Sequence, residues 1–295
     1  MKEKELKCYQ EAGRIAAETL VYGASLIKKN TYLLDVIEKL EHHITQKAEM
    51  AFPPQISLNN VAAHFYPDHH DEIVFEEQVA KLDVGVHVDG FIGDTACTVD
   101  LSGKHGELVQ ASREALDNAL AIVKHGVTIG EIGAVIQDTI TKYGLAPVRN
   151  LSGHGLADFD VHAWPSIPNT ATGDKTQLEE GWVVAIEPFA STGAGIVVET
   201  SNATLFQLLD VKPVRDHTTR EVLKFIENFG DLPFAKRWLV EDFPVFKVNF
   251  ALKRLLHFEI IKEFPPLADK AKGIVSQAEH TVLVEKDGCK VLTKE

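Results

Sequence analysis

Cysteine is scarce in this 295-residue chain, and its placement suggests no covalent scaffold. Cys8, Cys97 and Cys289 are odd in number and widely spaced, with no Cys-x-x-Cys pair. That argues against a disulfide framework and a thiolate zinc site, and for a reducing cytosol. Positive charge is also short: 30 Lys and Arg against 43 Asp and Glu give a formal net charge of -13, with no long basic run. Nucleic acid is disfavoured as the main ligand, because phosphate recognition needs a positive patch. No apolar run approaches the ~20 residues of a membrane span. The opening Met-Lys-Glu-Lys-Glu-Leu-Lys lacks the apolar core of a signal peptide. What is present, 45% hydrophobic and 25% charged residues, is ordinary globular composition with enough chain for one large core or two modest ones. The expectation is a cytoplasmic protein with no membrane partner, and a monomer by default.

The most informative stretch is 81–100. Leu82, Val84, Val86 and Val88 alternate with Asp83, Gly85, His87 and Asp89, which is the period of a strand. Asp89-Gly90 signals a two-residue hairpin turn, and a second strand follows from Phe91 to about Val99. With that turn, Val88 faces Phe91, Gly85 faces Asp94 and Asp83 faces Ala96. Asp83 and Asp94 then share a face as diagonal neighbours, with Cα atoms roughly 7–8 Å apart. Two carboxylates so close repel unless a positive charge lies between them. The alternatives are a solvated hairpin face or half of a metal site.

Around this hairpin the chain reads as a repeated order of helix, helix, strands. Residues 3–29 and 34–49 read as helices, and 51–67 as a loop or short edge strand, given its prolines and paired asparagines. Residues 105–124 and 130–143 form a second helix pair that stops at glycine. Gly153-His154-Gly155 and a long loop to about Glu180 come next, then an apolar strand at 182–186. This order suggests two similar halves facing each other. Residues 216–262 break it, with short helices expected at 220–228, 234–241 and 244–261, like an inserted helical lobe. Beyond Pro266 strands return at 273–284 and 289–293.

Three further residues stand out by context. His154 is flanked by glycines that let the backbone pass close to a site; the alternative is a structural histidine. Glu187 ends the buried strand and needs a partner there, either a metal or a helix N-terminus or arginine. Glu279 opens the strand at 279–284, as a ligand or as half of an edge-strand salt bridge. Asp83, Asp94, Glu187 and Glu279 together carry four negative charges, which two divalent cations balance. Oxygen-rich ligation with one imidazole suits Mn, Co, Fe or Zn, and two metals ~3.5–4 Å apart form a hydrolytic centre.

These segments, in this order, resemble the methionine aminopeptidases of the pita-bread (creatinase/aminopeptidase) metallopeptidase fold. The resemblance rests on Asn59-Asn-Val-Ala-Ala-His64, on Lys81-Leu-Asp-Val-Gly-Val-His-Val-Asp-Gly with Gly93-Asp94-Thr-Ala, and on Ser152-Gly-His-Gly. Ile186-Glu-Pro-Phe and Glu279-His-Thr-Val complete it. The insertion between Glu187 and Glu279 is similar to that of the type II branch, and the short segment before the motifs is similar to the archaeal form. The resemblance implies an α+β fold over 1–295 with two pseudo-symmetric halves, interrupted by the 216–262 helical subdomain.

It also implies residue roles. Asp83, Asp94, His154, Glu187 and Glu279 would be the metal ligands, with Asp94 and Glu279 bridging two divalent ions. Glu187 would also shuttle the proton. His64 and His162 match the substrate-contacting histidines, and Phe52 and Val161 match positions lining the methionine pocket. The implied activity is removal of N-terminal methionine from nascent polypeptides near the ribosome, with a small second residue preferred. A proline-specific peptidase of the same fold is the competing enzyme. Those usually carry an extra N-terminal domain, and here only 82 residues precede Asp83. A non-catalytic ribosome- or protein-binding scaffold is the competing class; such scaffolds lose ligands, and all five are present.

Overall fold

The computed structural model describes residues 1–294. Its organising element is the expected hairpin, strands Val79–Val88 and Phe91–Asp100, paired with Val88 opposite Phe91, Gly85 opposite Asp94 and Asp83 opposite Ala96. Asp89 and Gly90 both take positive φ (51° and 87°), as a hairpin turn matched to strand twist requires. The face carrying Asp83 is not a solvated one: Lys81, Gly85 and His87 beside it are all buried. The hairpin lies in a nine-stranded sheet whose ladders are all antiparallel.

The seam of that sheet is strand Glu279–Val284. It pairs with Phe91–Asp100 on one side, Glu279 opposite Ala96, and with Val183–Ile186 on the other, His280 opposite Ile186. A strand paired on both sides is no edge strand, so the edge reading of Glu279 fails. The seam brings groups from residues 83–94, 154–187 and 279 onto one surface.

Each half covers the sheet's opposite face with a helix pair. Helices Glu3–Leu26 and Leu33–Thr45 bury Ile15, Leu33, Ile37 and Leu40 against Leu82, Val84 and Val86. Helices Gly106–Leu120 and Ile129–Lys142 bury Leu116, Ile132 and Ile136 against Val184, Ile186 and Val282. Alternation along a strand puts Asp83 and Glu187 on the other face, away from both helix layers.

Three sequence expectations need correction, while the short-strand alternative for 51–67 holds. Residues 152–168 form not a loop but a hairpin, Ser152–Ala157 with Asp160–Pro168. Glycine content hides the strand, yet a Cβ on Gly153 would lie 2.2 Å from the Ala185 carbonyl oxygen, and one on Gly155 2.2 Å from that of Trp164. These glycines let three backbones pack closely. Residues 51–67 hold two short strands, Gln55–Leu58 and Val61–Ala63. The helix expected over 244–261 spans Val245–His257; Glu259 then turns left-handed (φ 51°) and strand Ile261–Phe264 begins. The run 273–284 divides at Ala278 into Val275–Gln277, which joins a different sheet, and Glu279–Val284.

Residues from about 203 to 264 pack around their own core, with Phe206, Val222, Leu239, Val248 and Leu252 buried together. A three-stranded sheet of Leu205–Leu208, Phe234–Ala235 and Ile261–Phe264 forms one layer and helices His217–Ile226, Lys236–Asp242 and Val245–His257 the other. This lobe docks on helix Leu33–Thr45 through buried Arg237, whose guanidinium meets Glu41 and whose Nε donates to Tyr66 Oη at 3.0 Å. Trp238 Nε1 donates to the same Glu41 carboxylate at 2.8 Å. A buried, fully hydrogen-bonded charge of this kind fixes orientation more surely than it adds stability.

Candidate metal centre

The sheet seam assembles the candidate ligands in two overlapping triads. Asp94, His154 and Glu279 each offer a ligand atom within 4.8 Å of the others, and so do Asp83, Glu187 and Glu279. Glu279 belongs to both triads and is 1% exposed. Backbone ties hold the pieces in place. Thr281 Oγ1 accepts from the Asp94 N–H at 2.8 Å and donates to the Asp94 carbonyl at 2.7 Å. Thr95 Oγ1 donates to the Glu279 carbonyl at 2.8 Å.

The four carboxylates have no protein cation among the described residues. No lysine or arginine forms an ion pair with any of them; the one basic side chain within 4.0 Å is His154, with Nε2 3.8 Å from Asp94 Oδ2. Asp83 Oδ1, Asp94 Oδ1 and both Glu279 carboxylate oxygens are buried without a hydrogen-bond partner. Burial pushes the Asp83 carboxyl up to about 7. Burial, followed by the neighbouring carboxylates, raises Asp94, Glu187 and Glu279 well above the usual range. Burying unpaired, like-charged groups costs several kcal/mol each in real proteins, and a core that merely needed filling would hold apolar side chains.

His154 completes the case. Its Nδ1 lies 3.2 Å from the Gly155 carbonyl, so Nδ1 carries the proton and donates, leaving the Nε2 lone pair facing Asp94. Burial lowers its pKa to about 4, which keeps the ring neutral. A lone pair aimed at a carboxylate repels it unless a cation lies between them. Orphaned oxygens, raised carboxyls and an unprotonated imidazole nitrogen converge, and the residues present fit divalent cations.

Above the cluster lies a cavity of about 360 Å³. Asp83, Asp94, His154 and Glu187 line its floor, while His64, His162, Phe52 and Val161 line its walls. Of the nine residues singled out in the sequence, only Glu279 does not reach it. Gly85 explains how Phe52 enters: a Cβ there would lie 2.1 Å from the Phe52 ring. His64 sits at φ 64°, a strained conformation for a non-glycine residue, held by its N–H donating to Gln55 Oε1 at 2.8 Å. Burial pulls the imidazole of His64 down to about 4 and that of His162 to about 3. Both rings are therefore neutral N–H donors at physiological pH.

Sequence reasoning passed over Gln277. Its Nε2 donates to Glu187 Oε1 at 2.8 Å and to Asp83 Oδ2 at 3.2 Å, so one amide aligns two carboxylates of the same triad. A glutamine two residues before Glu279, at a strand break, carries no chemical signal in sequence. Gln277→Ala should lower activity or metal affinity about 10–100-fold, read by turnover across a metal titration. Unchanged titration curves would make the amide a bystander. Leu205, Pro233, Lys262 and Phe264 carry no such signal in sequence either; all come from the lobe at about 203–264 and wall the cavity.

The sequence profile of metallopeptidase family M24 matches residues 7–286. The chain is 45% identical over 287 residues to a methionine aminopeptidase of Archaeoglobus fulgidus, covering 96% of this chain and 97% of the relative. It is 39% identical to a methionine aminopeptidase of Methanothermobacter thermautotrophicus, covering 99% of both. Among solved structures, the methionine aminopeptidase of Thermotoga maritima superposes with a TM-score of 0.74 at 22% identity, covering 100% of this chain and 98% of that one. At that identity the likeness is one of fold.

Proposed function

This chain belongs to metallopeptidase family M24 and has its pita-bread fold, and from that premise we propose that it is an enzyme removing the N-terminal methionine of peptides and nascent proteins. The observation that carries the reading is the cluster of four buried, cation-less carboxylates and one neutral histidine beneath a cavity with two imidazole donors. Relatives similar over nearly the full length bear the name methionine aminopeptidase.

We assign two divalent ions (Co, Mn, Fe or Zn) to Asp83, Asp94, His154, Glu187 and Glu279. Bound there, they supply Lewis-acid charge for the scissile carbonyl and the attacking water. The chain's own residues do the rest. Glu279, shared between the triads, keeps the two ligand sets in one fixed relation. Gln277 Nε2 occupies Glu187 Oε1, which leaves Oε2 to take a proton from the water and pass it to the leaving amine. The His162 N–H faces the developing oxyanion, and the His64 N–H contacts the scissile amide. Phe52 and Val161 bury the methionine side chain. One methylene is worth ~1–3 kcal/mol in such a pocket, so selectivity over other apolar side chains is partial. Only a terminal residue offers a free α-amine to the anionic floor, which accounts for exopeptidase action.

The preference for a small second residue, action near the ribosome, a cytoplasmic location and a monomeric state belong to the same reading, as does the treatment of the lobe, expected at 216–262 and packed from about 203 to 264, as an inserted subdomain. No helix among the described residues is long and apolar enough to cross a membrane. His162→Ala should lower kcat by about 10²–10³-fold, as loss of an oxyanion donor does, with metal content retained. His64→Ala should likewise lose turnover with much less loss of metal; parallel loss of both would make His64 a ligand. The reading itself is tested by hydrolysis of Met-Ala-Ser and of an X-Pro dipeptide by chelated and metal-reloaded protein. Metal-dependent release of methionine is expected. Faster cleavage of X-Pro would reassign the enzyme, and no metal response would favour the scaffold.

A further inference from the structure

The cavity floor is built from carboxyl groups, and one wall carries a lysine with no carboxylate within 4.0 Å among the described residues. Lys262 is the one lysine or arginine among the residues lining the cavity. It comes from strand Ile261–Phe264, where Ile261 turns into the lobe's own core and Lys262 and Phe264 face the cavity. Among the described residues no carboxylate lies within 4.0 Å of its ammonium, whereas other lysines of this acidic chain, such as Lys47 and Lys236, do find partners. Its Nζ instead sits 4.9 Å from the centre of the Phe264 ring. That ring packs 5.4 Å from His64 and 6.3 Å from His162. The ammonium is thus one aromatic ring away from both histidines placed at the scissile bond. Lys262 is partly buried, and burial lowers its pKa, with Asp160 the carboxylate whose charge opposes that shift. An ammonium that has shed water without gaining an anion is stabilised by any ligand that brings one.

The polarity of the cavity matches that of a short peptide bound amine first. With the α-amine at the carboxylate floor, an extended chain advances ~3.3–3.6 Å per residue. The second and third residues then pass His64 and His162 and reach the Phe264–Lys262 wall. Resting on the aminopeptidase reading above, we propose that Lys262 is a specificity-determining residue that recognises a carboxylate on the leaving side of the scissile bond. Two sources offer that chemistry: an acidic side chain at the third position, or the free C-terminus of a tripeptide. The inserted lobe thereby selects substrates as well as enclosing them.

The test compares kcat/KM for Mn-loaded wild type, Lys262→Ala and Lys262→Glu on four peptides. Met-Ala-Ser is compared with its C-terminal amide, and Met-Ala-Asp amide with Met-Ala-Lys amide. Each enzyme's rate on Met-Ala-Ser amide, which carries no charge beyond its α-amine, is its own reference, so general losses of activity cancel. Wild type should prefer the acidic member of at least one pair by about two- to fivefold, the range of a partly screened ion pair, mostly through KM. The preference should vanish in Lys262→Ala, reverse in Lys262→Glu and shrink at high salt. Preference confined to the first pair identifies the C-terminus as the source; preference confined to the second identifies the side chain. Equal ratios in wild type and Lys262→Ala overturn the assignment, as does a wild type indifferent to both pairs. If none of the enzymes cleaves Met-Ala-Ser amide, the aminopeptidase reading itself fails and the assignment falls with it.

Discussion

Asp94→Ala should lower kcat/KM on methionine-initiated peptides by at least about a thousandfold: on the proposed assignment it removes a metal ligand rather than a supporting hydrogen bond, whose loss alone costs about 10–100-fold. The expected size follows from the surroundings. Asp94 is 2% exposed and faces the unprotonated nitrogen of His154 from 3.8 Å. It shares a triad with Glu279, which has no hydrogen-bond partner for either oxygen. Alanine there leaves His154 and Glu279 as the only protein ligands of that triad and weakens charge balance at the second. Bound metal per chain, measured by elemental analysis, should fall along with activity, and Asp94→Asn should fail similarly because it keeps the shape but not the charge. Wild-type turnover in either variant would refute the two-metal reading.

Chelated protein should lose stability relative to metal-loaded protein as pH rises from about 5 to about 7. The sign follows from linkage. A carboxyl whose folded pKa is raised holds its proton in the folded state after the unfolded chain has lost its own, so stability falls as pH rises through that window. Asp83, raised to about 7, and Asp94, Glu187 and Glu279, raised well above the usual carboxyl range, are all such groups. Each one still protonated costs ~1.4 kcal/mol per pH unit. The buried histidines His64, His154, His162 and His280 act in the opposite sense, because their lowered pKa values cost stability as pH falls below their ordinary range. That range ends near pH 6.5. Buried Lys81, also lowered, contributes a rising slope, but it does so with or without metal. The gap in Tm between Mn-loaded and chelated protein isolates the site and should widen by about 3 °C or more per pH unit between about pH 5 and 7. A gap that stays constant would mean the carboxylates are not neutralised by metal.

Which parts of this site were legible in sequence has a physical basis. The hairpin announced itself because alternation and an Asp-Gly turn determine register together, and register alone placed Asp83 and Asp94 on one face. Glu187 and Glu279 were visible as carboxylates on apolar strands. Their assembly was not, because it depends on Glu279 sitting on a seam strand paired with elements about 90 and 180 residues away. The second hairpin reads as loop in sequence because glycines that allow close strand contact resemble loop glycines. Gln277 and Lys262 escaped notice because an amide and a lysine acquire meaning only from what faces them. The left-handed backbone of His64 likewise has no trace in its residue type.

Anomalous diffraction from crystals of the Mn-loaded protein tests the central claim most directly. Two peaks are predicted beneath the cavity, one among Asp94, His154 and Glu279 and the other among Asp83, Glu187 and Glu279, with Glu279 common to both. A cavity floor with no anomalous peak, or peaks held by other side chains, would contradict the account.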